Sequence, residues 1–186
     1  MASAFAHAAA GAALWPLFRT PRAPRFGWAI GAALAVLPDV DVVGFRMGIA
    51  YGDLLGHRGL THSLLVALAV GGAAGWMLSR GMPTRDRASL AAYLVVAMAS
   101  HGILDAMTTG GLGVALAAPL DDTRYFFPWR PIAVSPIGIR PFFTRRGLAI
   151  LANEALWVGL PSLAIAWIGA RLRPPPPAGA RFAQGD

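Results

Sequence analysis

The chain has 186 residues, of which 56% are hydrophobic, and its mean hydropathy is +0.55. This exceeds the roughly 45–50% apolar content of ordinary soluble domains, and the apolar residues are gathered into segments, which is typical of a polytopic membrane protein. The absence of cysteine excludes disulfides and thiolate metal sites. All sixteen basic residues are arginine and the formal charge is +7. Since the arginines lie mostly between apolar segments, we interpret them as topology signals and lipid contacts, and we expect no nucleic-acid partner.

Five apolar segments predict an all-α membrane bundle of about five helices. They run from about Ala4 to Phe18, Phe26 to Leu37, Leu60 to Leu78, Ala88 to Met107 and Leu148 to Ala170. The first segment has no basic residue before it, so we interpret it as a retained helix and not as a signal peptide. The first two are shorter than the roughly 20 residues of a normal span. Pro38 is expected to end the second helix, because it lacks a backbone donor.

Short basic turns and one long loop connect these segments. "RTPRAPR" (19–25) and "SRGMPTRDR" (79–87) predict turns. Residues 119–147 are rich in aromatics, prolines and arginines, which predicts an interfacial loop packed over the bundle. We therefore predict one transmembrane domain over residues 1–173 and a disordered, proline-rich tail over residues 174–186.

The ionisable residues are expected to meet at one face of the membrane, because the starts of odd helices and the ends of even helices lie on the same side. The residues at those ends are His7, Asp39, Asp41, His57, His62, His101, Asp105 and Glu154. The opposite halves of the helices carry almost no polar side chains. Ionisable groups at membrane depth are costly and usually functional, so this one-sided arrangement favours catalysis over transport.

The spacing of the motifs is compatible with metal binding. "HGILD" puts His101 and Asp105 one helical turn apart on one face. "PDVD" places two carboxylates just after the proline, where an irregular backbone would let both turn inward. His57 and His62 are about 140° apart on an ideal helix, so we place His57 in the turn before the third helix and His62 in its first turn, with Thr61 or Ser63 near the N-cap. The two imidazoles would then approach one centre or serve two neighbouring ions.

Each motif alone also has a structural interpretation. A lone His7 is typical of an interhelical hydrogen bond, an i,i+4 His/Asp pair is common, and "PDVD" could be a capped turn. Together they predict a metal site with the candidate ligands His7, Asp39, Asp41, His57, His62, His101 and Asp105. Such ligands suit zinc, with manganese or iron as alternatives, and their number allows two ions with a bridging carboxylate.

The motifs "LPDVD", "GHRGLTHSLL", "SHGILDAMTTGG" and "YFFPWRPIAVSPIG", after an N-terminal His7, resemble the bacterial membrane-bound metal-dependent hydrolases of the YdjM type. The resemblance covers the chain from His7 to about Glu154 and implies an inner-membrane hydrolase. One branch of the family is linked to the repressor LexA through its expression, which does not imply DNA binding. The pattern is also distantly similar to the zinc-dependent phospholipase C and nuclease superfamily. The resemblance leaves the roles of Asp53, Thr61 and Glu154 open.

These features predict an integral membrane hydrolase in which a metal-activated water attacks an anionic phosphoester, with lipid-linked substrates favoured by a site at membrane depth. Asp53 or Glu154 is the expected general base, with Thr61 as a further catalytic candidate. Arg58, and with it Arg124 or Arg130, would bind a substrate oxygen or else anchor the chain at the interface. The alternatives are a transporter, or a scaffold whose His/Asp cluster binds a cation.

The arginines also predict an orientation. Three clusters lie at the face opposite the motifs: Arg19, Arg22 and Arg25; Arg80, Arg85 and Arg87; Arg171, Arg173 and Arg181. The motif face holds seven arginines spread over longer loops and offset by most of the acids. Because basic residues in short loops favour the cytoplasm, we expect the protein in the inner membrane with its site facing the periplasm.

Overall fold

A computed structural model describes residues 1–138 and 140–172. Within these residues the chain forms five helical segments joined by turns and one long loop, which confirms the predicted all-α class. The predicted disordered tail, residues 174–186, lies outside the described residues, as do Arg173 and Arg181.

The first two helical segments each change geometry part of the way along. The first consists of α1 (Ala4–Ala13) and the short α2 (Trp15–Phe18). The second begins as α3 (Gly27–Val36) and continues as a 3₁₀ helix (Leu37–Met47). Pro38 therefore ends the α-helix but not the helical segment, which corrects the prediction. The N–H of Leu37 still donates to carbonyls of α3, and Pro38, which has no N–H, comes at the next position, where the helix tightens from α to 3₁₀ geometry.

The third segment also begins differently from the prediction. A single 3₁₀ turn (Leu60–His62) precedes α4 (Leu64–Leu78), and the hydroxyl of Ser63 caps α4 by accepting the N–H of Val66 at 3.1 Å. His62 thus lies just before the helix and not in its first turn. The fourth segment is α5 (Thr84–Ala106).

The fifth segment is longer than predicted and carries an irregularity at its centre. It begins with α6 (Arg145–Glu154), passes through a π-helical turn (Ala155–Gly159) and ends with α7 (Leu160–Leu172). Among the described residues, three stretches are long and apolar enough to cross a membrane: Gly27–Met47, Thr84–Ala106 and Arg145–Leu172. The apolar helices Ala4–Phe18 and Leu64–Leu78 are shorter.

Small residues let α4 lie directly against α5. A Cβ atom built on Gly71 would come within 2.7 Å of the backbone of Val95, and one on Gly75 within 2.4 Å of Cα of Ala91. Gly72, one position along, faces open space. Packing of small residues is a main source of helix association in membranes, where lipid removes the hydrophobic driving force. This contact fixes the start of α4, and with it His62, against the C-terminal half of α5.

Gly75→Ala is expected to destabilise the protein relative to Gly72→Ala. Both substitutions gain the roughly 0.5–1 kcal/mol by which alanine exceeds glycine in a helix. Only Gly75→Ala must push α4 away from α5, and such overpacking costs about 1–3 kcal/mol. Thermal unfolding of the two purified variants in the same detergent measures the difference. Equal melting temperatures would mean that the close approach of the two helices does not matter.

The long loop packs over one end of the bundle, as predicted. The N–H of Phe127 donates to the carbonyl of Ala106 at 2.9 Å, and the N–H of Thr109 donates to that of Ile132 at 2.9 Å. From the fifth segment, the side-chain oxygen of Asn153 accepts the N–H of Ala133 at 2.7 Å. The loop is therefore tied to both the fourth and the fifth helical segments at the end where the motifs lie.

Candidate metal centre

The structure brings all seven predicted ligands together at one end of the bundle. They come from α1, the 3₁₀ helix after α3, the turn before α4 and the last two turns of α5: His7, Asp39, Asp41, His57, His62, His101 and Asp105. The side chains of His7, His62, His101 and Asp105 are completely buried, and that of Asp39 is 9% exposed. A buried group of this composition needs partners or a cation, because burying isolated charge is costly.

Four of these residues place one potential ligand atom each around a common position. One ligand atom from each of Asp39, His62, His101 and Asp105 lies within 4.8 Å of the other three. Oδ1 of Asp39 is 3.6 Å from Nε2 of His62 and 3.3 Å from Nε2 of His101. Oδ2 of Asp105 is 3.6 Å and 4.0 Å from the same two nitrogens. Ligands about 2.0–2.1 Å from a tetrahedral zinc are about 3.3 Å apart, so small side-chain movements would bring these four atoms to zinc-binding distance.

The hydrogen bonds made by Nδ1 of His62 and of His101 determine which nitrogen of each imidazole carries the proton and which can bind a metal. Nδ1 of His101 lies 2.7 Å from the carbonyl oxygen of Ala35 and must donate to it. Nδ1 of His62 forms its hydrogen bond with the Thr61 hydroxyl at 3.0 Å, and because that hydroxyl donates to Oδ2 of Asp41 at 2.7 Å, Nδ1 must be the donor. In the neutral rings both Nε2 atoms therefore carry lone pairs, although they are only 2.9 Å apart. Such a contact is repulsive unless a cation or proton lies between them.

The carboxylates show the same need for positive charge. Among the described residues, both oxygens of Asp39 and Oδ2 of Asp105 are buried and accept no hydrogen bond. With neutral imidazoles, the three aspartates carry three negative charges and Arg58 supplies one positive charge. A divalent cation would bring the cluster to neutrality.

The second group of potential ligands, Asp41, His57 and His62, is organised by hydrogen bonds. Oδ1 of Asp41 lies 2.7 Å from Nδ1 of His57, and Oδ2 accepts the hydroxyl of Thr61 at 2.7 Å and the N–H of Arg58 at 3.3 Å. Asp41 is therefore already satisfied, and its remaining contact orients His62. This geometry favours a single ion, bound by the four-residue group, over the predicted two ions. Asp41 and His57 would then support the ligand His62 without binding the ion themselves.

His7 lies beside the four-residue group. Its ring stacks on that of His101 with centroids 3.7 Å apart, and its Nε2 is 3.3 Å from Oδ1 of Asp105. Among the described residues neither nitrogen of His7 has hydrogen-bond geometry with a partner. Oδ1 of Asp105 also accepts the N–H of Ala2 at 2.6 Å. His7 thus contacts the four-residue group through Oδ1 of Asp105 and through the ring of His101, and it is not one of the four converging ligands.

Arg58 is fully buried, and all three guanidinium nitrogens contact protein oxygens. Its Nε lies 3.0 Å from Oδ2 of Asp105, and its terminal nitrogens donate to the carbonyl of Gly110 at 2.8 Å and to Oγ1 of Thr108 at 2.9 Å. Its backbone adopts φ +64°, in the left-handed region that residues other than glycine rarely occupy. These contacts make Arg58 a positioning residue for Asp105, and they leave its guanidinium little capacity for a substrate oxygen.

Thr108 and Gly110 were not among the predicted site residues, although both lie in the motif "SHGILDAMTTGG". The usable signal was their position directly after the helix that carries His101 and Asp105. Thr108 is completely buried, and its hydroxyl donates to the carbonyl of Asp105 at 2.7 Å while accepting from Arg58. The two residues therefore hold the Arg58 side chain against Asp105.

The structure does not bring Asp53 or Glu154 into the cluster. Asp53 is exposed in the loop before His57 and accepts the N–H of Ala50 at 3.0 Å. Glu154 is buried, but its carboxylate accepts the N–H of Ser3 at 2.6 Å and the Ser3 hydroxyl. Glu154 thus fastens the start of α1 to the fifth segment. Neither position favours the predicted general-base role, because each carboxylate already has local partners.

The two further arginine candidates also have structural partners. The guanidinium of Arg124 donates to the carbonyl oxygens of His57, Tyr51 and Asp53 at 2.9, 3.1 and 3.0 Å, and it lies over the ring of Tyr51. It therefore holds the loop that carries His57 in place. The guanidinium of Arg130 lies over the ring of Phe126, 4.9 Å from its centroid.

Fold and site together define a polytopic membrane protein with a buried His/Asp cluster at one end of its helices. The chain matches the YdjM inner membrane protein family over residues 1–174 and belongs to it. It is 41% identical over 143 residues to the inner membrane protein YbcI of Escherichia coli strain K12, an alignment that covers 75% of this chain and 80% of that protein. No solved structure matches the chain significantly. The chain is therefore an inner membrane protein, as the resemblance implied.

Proposed function

We propose that this protein is a metal-dependent hydrolase that holds one divalent cation, preferably zinc and otherwise manganese or iron, between Asp39, His62, His101 and Asp105. The observation that carries this proposal is the 2.9 Å separation of two Nε2 atoms whose rings both donate through Nδ1. Both oxygens of Asp39 and Oδ2 of Asp105 are buried and accept no hydrogen bond from the described residues, which supports the same conclusion. Imidazole and carboxylate ligands without thiolate suit these metals.

The surrounding residues prepare these four side chains for binding. The carbonyl of Ala35 fixes the tautomer of His101, and the hydroxyl of Thr61, which donates to Asp41, fixes that of His62. Such outer hydrogen bonds typically change metal affinity by about 10–100-fold. When bound, a divalent cation lowers the pKa of a coordinated water and polarises a phosphoryl oxygen.

Asp39 is the carboxylate best placed to accept a proton from the attacking water. Its Oδ2 is without a hydrogen-bond donor among the described residues, and its side chain is the most exposed of the four, at 9%. We therefore assign to Oδ2 of Asp39 the general-base role that the sequence suggested for Asp53 or Glu154. A carboxylate that binds a cation through one oxygen can still receive a proton on the other.

The position of the cluster supports a lipid-linked phosphoester as the substrate class. The ligands lie at the ends of apolar helices, and Val40 and Val43, next to Asp39 in the 3₁₀ helix, are 59% and 53% exposed. An amphiphilic substrate could reach Asp39 along this apolar surface while its phosphate remains at headgroup depth.

Hydrolysis by the purified protein is expected to require the cation and the four-residue group. A panel of phosphodiesters and phosphomonoesters, both water-soluble and lipid-linked, is assayed after chelation and again after reloading with zinc, manganese or iron. Activity should disappear on chelation, return on reloading and remain at background in His62→Ala. The control Asp121→Asn removes an exposed loop carboxylate and should retain activity. Metal-loaded protein that is inactive on the whole panel would contradict the proposal.

A structural cation site is the second candidate, and the complete burial of His62, His101 and Asp105 favours it. In that case the ion would join α5 to the 3₁₀ helix after α3 and would have no coordination position open to water. A catalytic site keeps such a position open, whereas a structural zinc site is closed by four protein ligands. X-ray absorption spectroscopy of the zinc-loaded protein separates the two, since four protein ligands alone indicate the structural role and an additional water the catalytic one.

We propose that the cluster faces the periplasm and the basic turns face the cytoplasm. The arginines of the two short turns, residues 19–25 and 79–87, support this orientation. The chain has no cysteine, so single cysteines can be placed without background. In intact cells, an impermeant maleimide should label Leu120→Cys, at the exposed loop of the cluster end, and should not label Thr84→Cys, at the start of α5. The reverse labelling would place the cluster in the cytoplasm.

A further inference from the structure

A basic cleft lies at the end of the bundle opposite the His/Asp cluster. It has a volume of about 460 Å³ and is lined by Arg19, Thr20 and Arg25 of the first turn, with Trp15 and Trp28 on its membrane side. A neighbouring cleft of about 390 Å³ shares Arg19 and Thr20 and adds Arg85, Ser89 and one acid, Asp86. The two clefts share three lining residues, including Pro21, and together form one polar surface that carries three arginines against one carboxylate.

Three polar side chains of this surface, Arg25, Arg85 and Thr20, have unused binding capacity. Within residues 1–138 and 140–172, no carboxylate pairs with Arg25 or Arg85, and both side chains are exposed. The hydroxyl oxygen of Thr20 is buried and has no hydrogen-bond partner among the same residues. Arginines and a hydroxyl donor converging on one cleft are the groups that recognise a phosphate.

An apolar groove continues from the basic cleft into the membrane-spanning part of the bundle. It has a volume of about 480 Å³, shares Trp15 and Trp28 with the cleft, and runs between α1, α3 and α7 along Ala9, Ala12 and Leu163. Trp15 is held in place because its ring lies against Gly27, where a Cβ would come within 2.2 Å of it. The two tryptophans thus mark the boundary between a cationic cleft and an apolar groove, the depth at which tryptophan is enriched in membrane proteins.

We infer that this composite cavity binds an anionic phospholipid, with the phosphate between Arg19, Arg25 and Arg85 and an acyl chain in the groove below Trp15 and Trp28. That the two parts adjoin at Trp15 and Trp28 identifies the occupant, because a free anion would leave the groove unfilled and an uncharged amphiphile would leave Arg25 and Arg85 without an anionic partner. Such a lipid would also join α1, α3 and α7. The site is separate from the proposed catalytic centre, which lies at the other end of the same helices.

Native mass spectrometry of the full chain in a neutral detergent tests this inference. The protein is titrated with phosphatidylglycerol, with phosphatidylcholine of the same acyl chains and with inorganic phosphate. We expect phosphatidylglycerol to bind most tightly, and the double variant Arg25→Gln/Arg85→Gln to weaken it by roughly tenfold or more, as the loss of two arginines near an anionic headgroup implies. The control Arg46→Gln/Arg146→Gln has the same net charge, removes exposed arginines at the cluster end and should bind as the wild type does.

A third variant tests the groove. Ala9 is exposed to the groove, so Ala9→Trp should fill it without forcing the helices apart and should weaken phosphatidylglycerol while leaving phosphate unaffected. Equal affinity for the two lipids, or equal losses in the two double variants, would overturn the inference, since either result means general attraction without a site. Phosphate binding as tight as that of phosphatidylglycerol would also overturn it, by showing an anion site that takes no lipid. Thermal unfolding of each variant checks that it is folded.

Discussion

Replacing His101 with alanine is expected to lower the affinity of the protein for zinc by more than about 100-fold, because even outer partners of a metal ligand change affinity by about 10–100-fold. Nε2 of His101 lies 2.9 Å from Nε2 of His62, 3.3 Å from Oδ1 of Asp39 and 4.0 Å from Oδ2 of Asp105. It is therefore close to all three of the other proposed ligands. Competition of the purified protein with a zinc-binding dye measures the affinity.

His57→Ala is the matched control for this measurement. It also removes a buried imidazole, but His57 bonds to Asp41 and lies outside the four-residue group. We expect a smaller loss of affinity, because His57 acts on the site only through Asp41 and His62. Equal losses in the two variants would favour two ions, one in each group. If His101→Ala bound zinc as tightly as the wild type, the four-residue group would not be the zinc site.

Arg58→Met is expected to destabilise the protein by about 3–5 kcal/mol, the range found when one partner of a buried ion pair is removed. The substitution leaves Asp105 with an uncompensated charge and removes the donors to Gly110 and Thr108. Methionine has a similar length and fills part of the space, so most of the loss reflects charge and hydrogen bonding. Denaturant or thermal unfolding of the metal-free protein gives the difference without a contribution from the cation.

Two variants control for the effects of the Arg58 substitution. Arg46→Met removes an exposed arginine, and we expect it to change stability by less than about 0.5 kcal/mol. Arg58→Gly also loses the guanidinium but relieves the left-handed backbone, which costs an ordinary residue about 1–2 kcal/mol. Arg58→Gly leaves a larger cavity than Arg58→Met, but the relief of backbone strain should offset part of the free energy of unfolding that this cavity costs. Arg58→Met as stable as Arg46→Met would contradict the assigned role.

The meeting of the ligands could be predicted from the sequence because it depends only on helix order. In an antiparallel bundle, residues such as His7, Asp39 and Asp105 must share one end, whatever the details of packing. The i,i+4 spacing of His101 and Asp105 likewise fixes their common face, and the structure places Nε2 and Oδ2 4.0 Å apart. Apolar segments of about the right length were sufficient to locate the five helices.

The separate roles of the ligands could not be predicted in this way. Asp39 and Asp41 are equivalent in "PDVD", but at three residues per turn they point in different directions, one toward His101 and the other toward His57. Sequence patterns do not show that the chain remains helical after Pro38, and they do not show which nitrogen of an imidazole faces a carbonyl. The partners of Arg58 and Glu154 come from residues 50 and 151 positions away, which no local pattern encodes.

The central claim is a single cation between Asp39, His62, His101 and Asp105, and a crystal structure with anomalous scattering at the zinc edge tests it most directly. We expect one peak, about 2.0–2.2 Å from Nε2 of each histidine and from one oxygen of each aspartate. We also expect Nδ1 of His101 to remain bonded to the carbonyl of Ala35. No peak in zinc-supplemented protein, or a peak held by Asp41 and His57 alone, would contradict the claim.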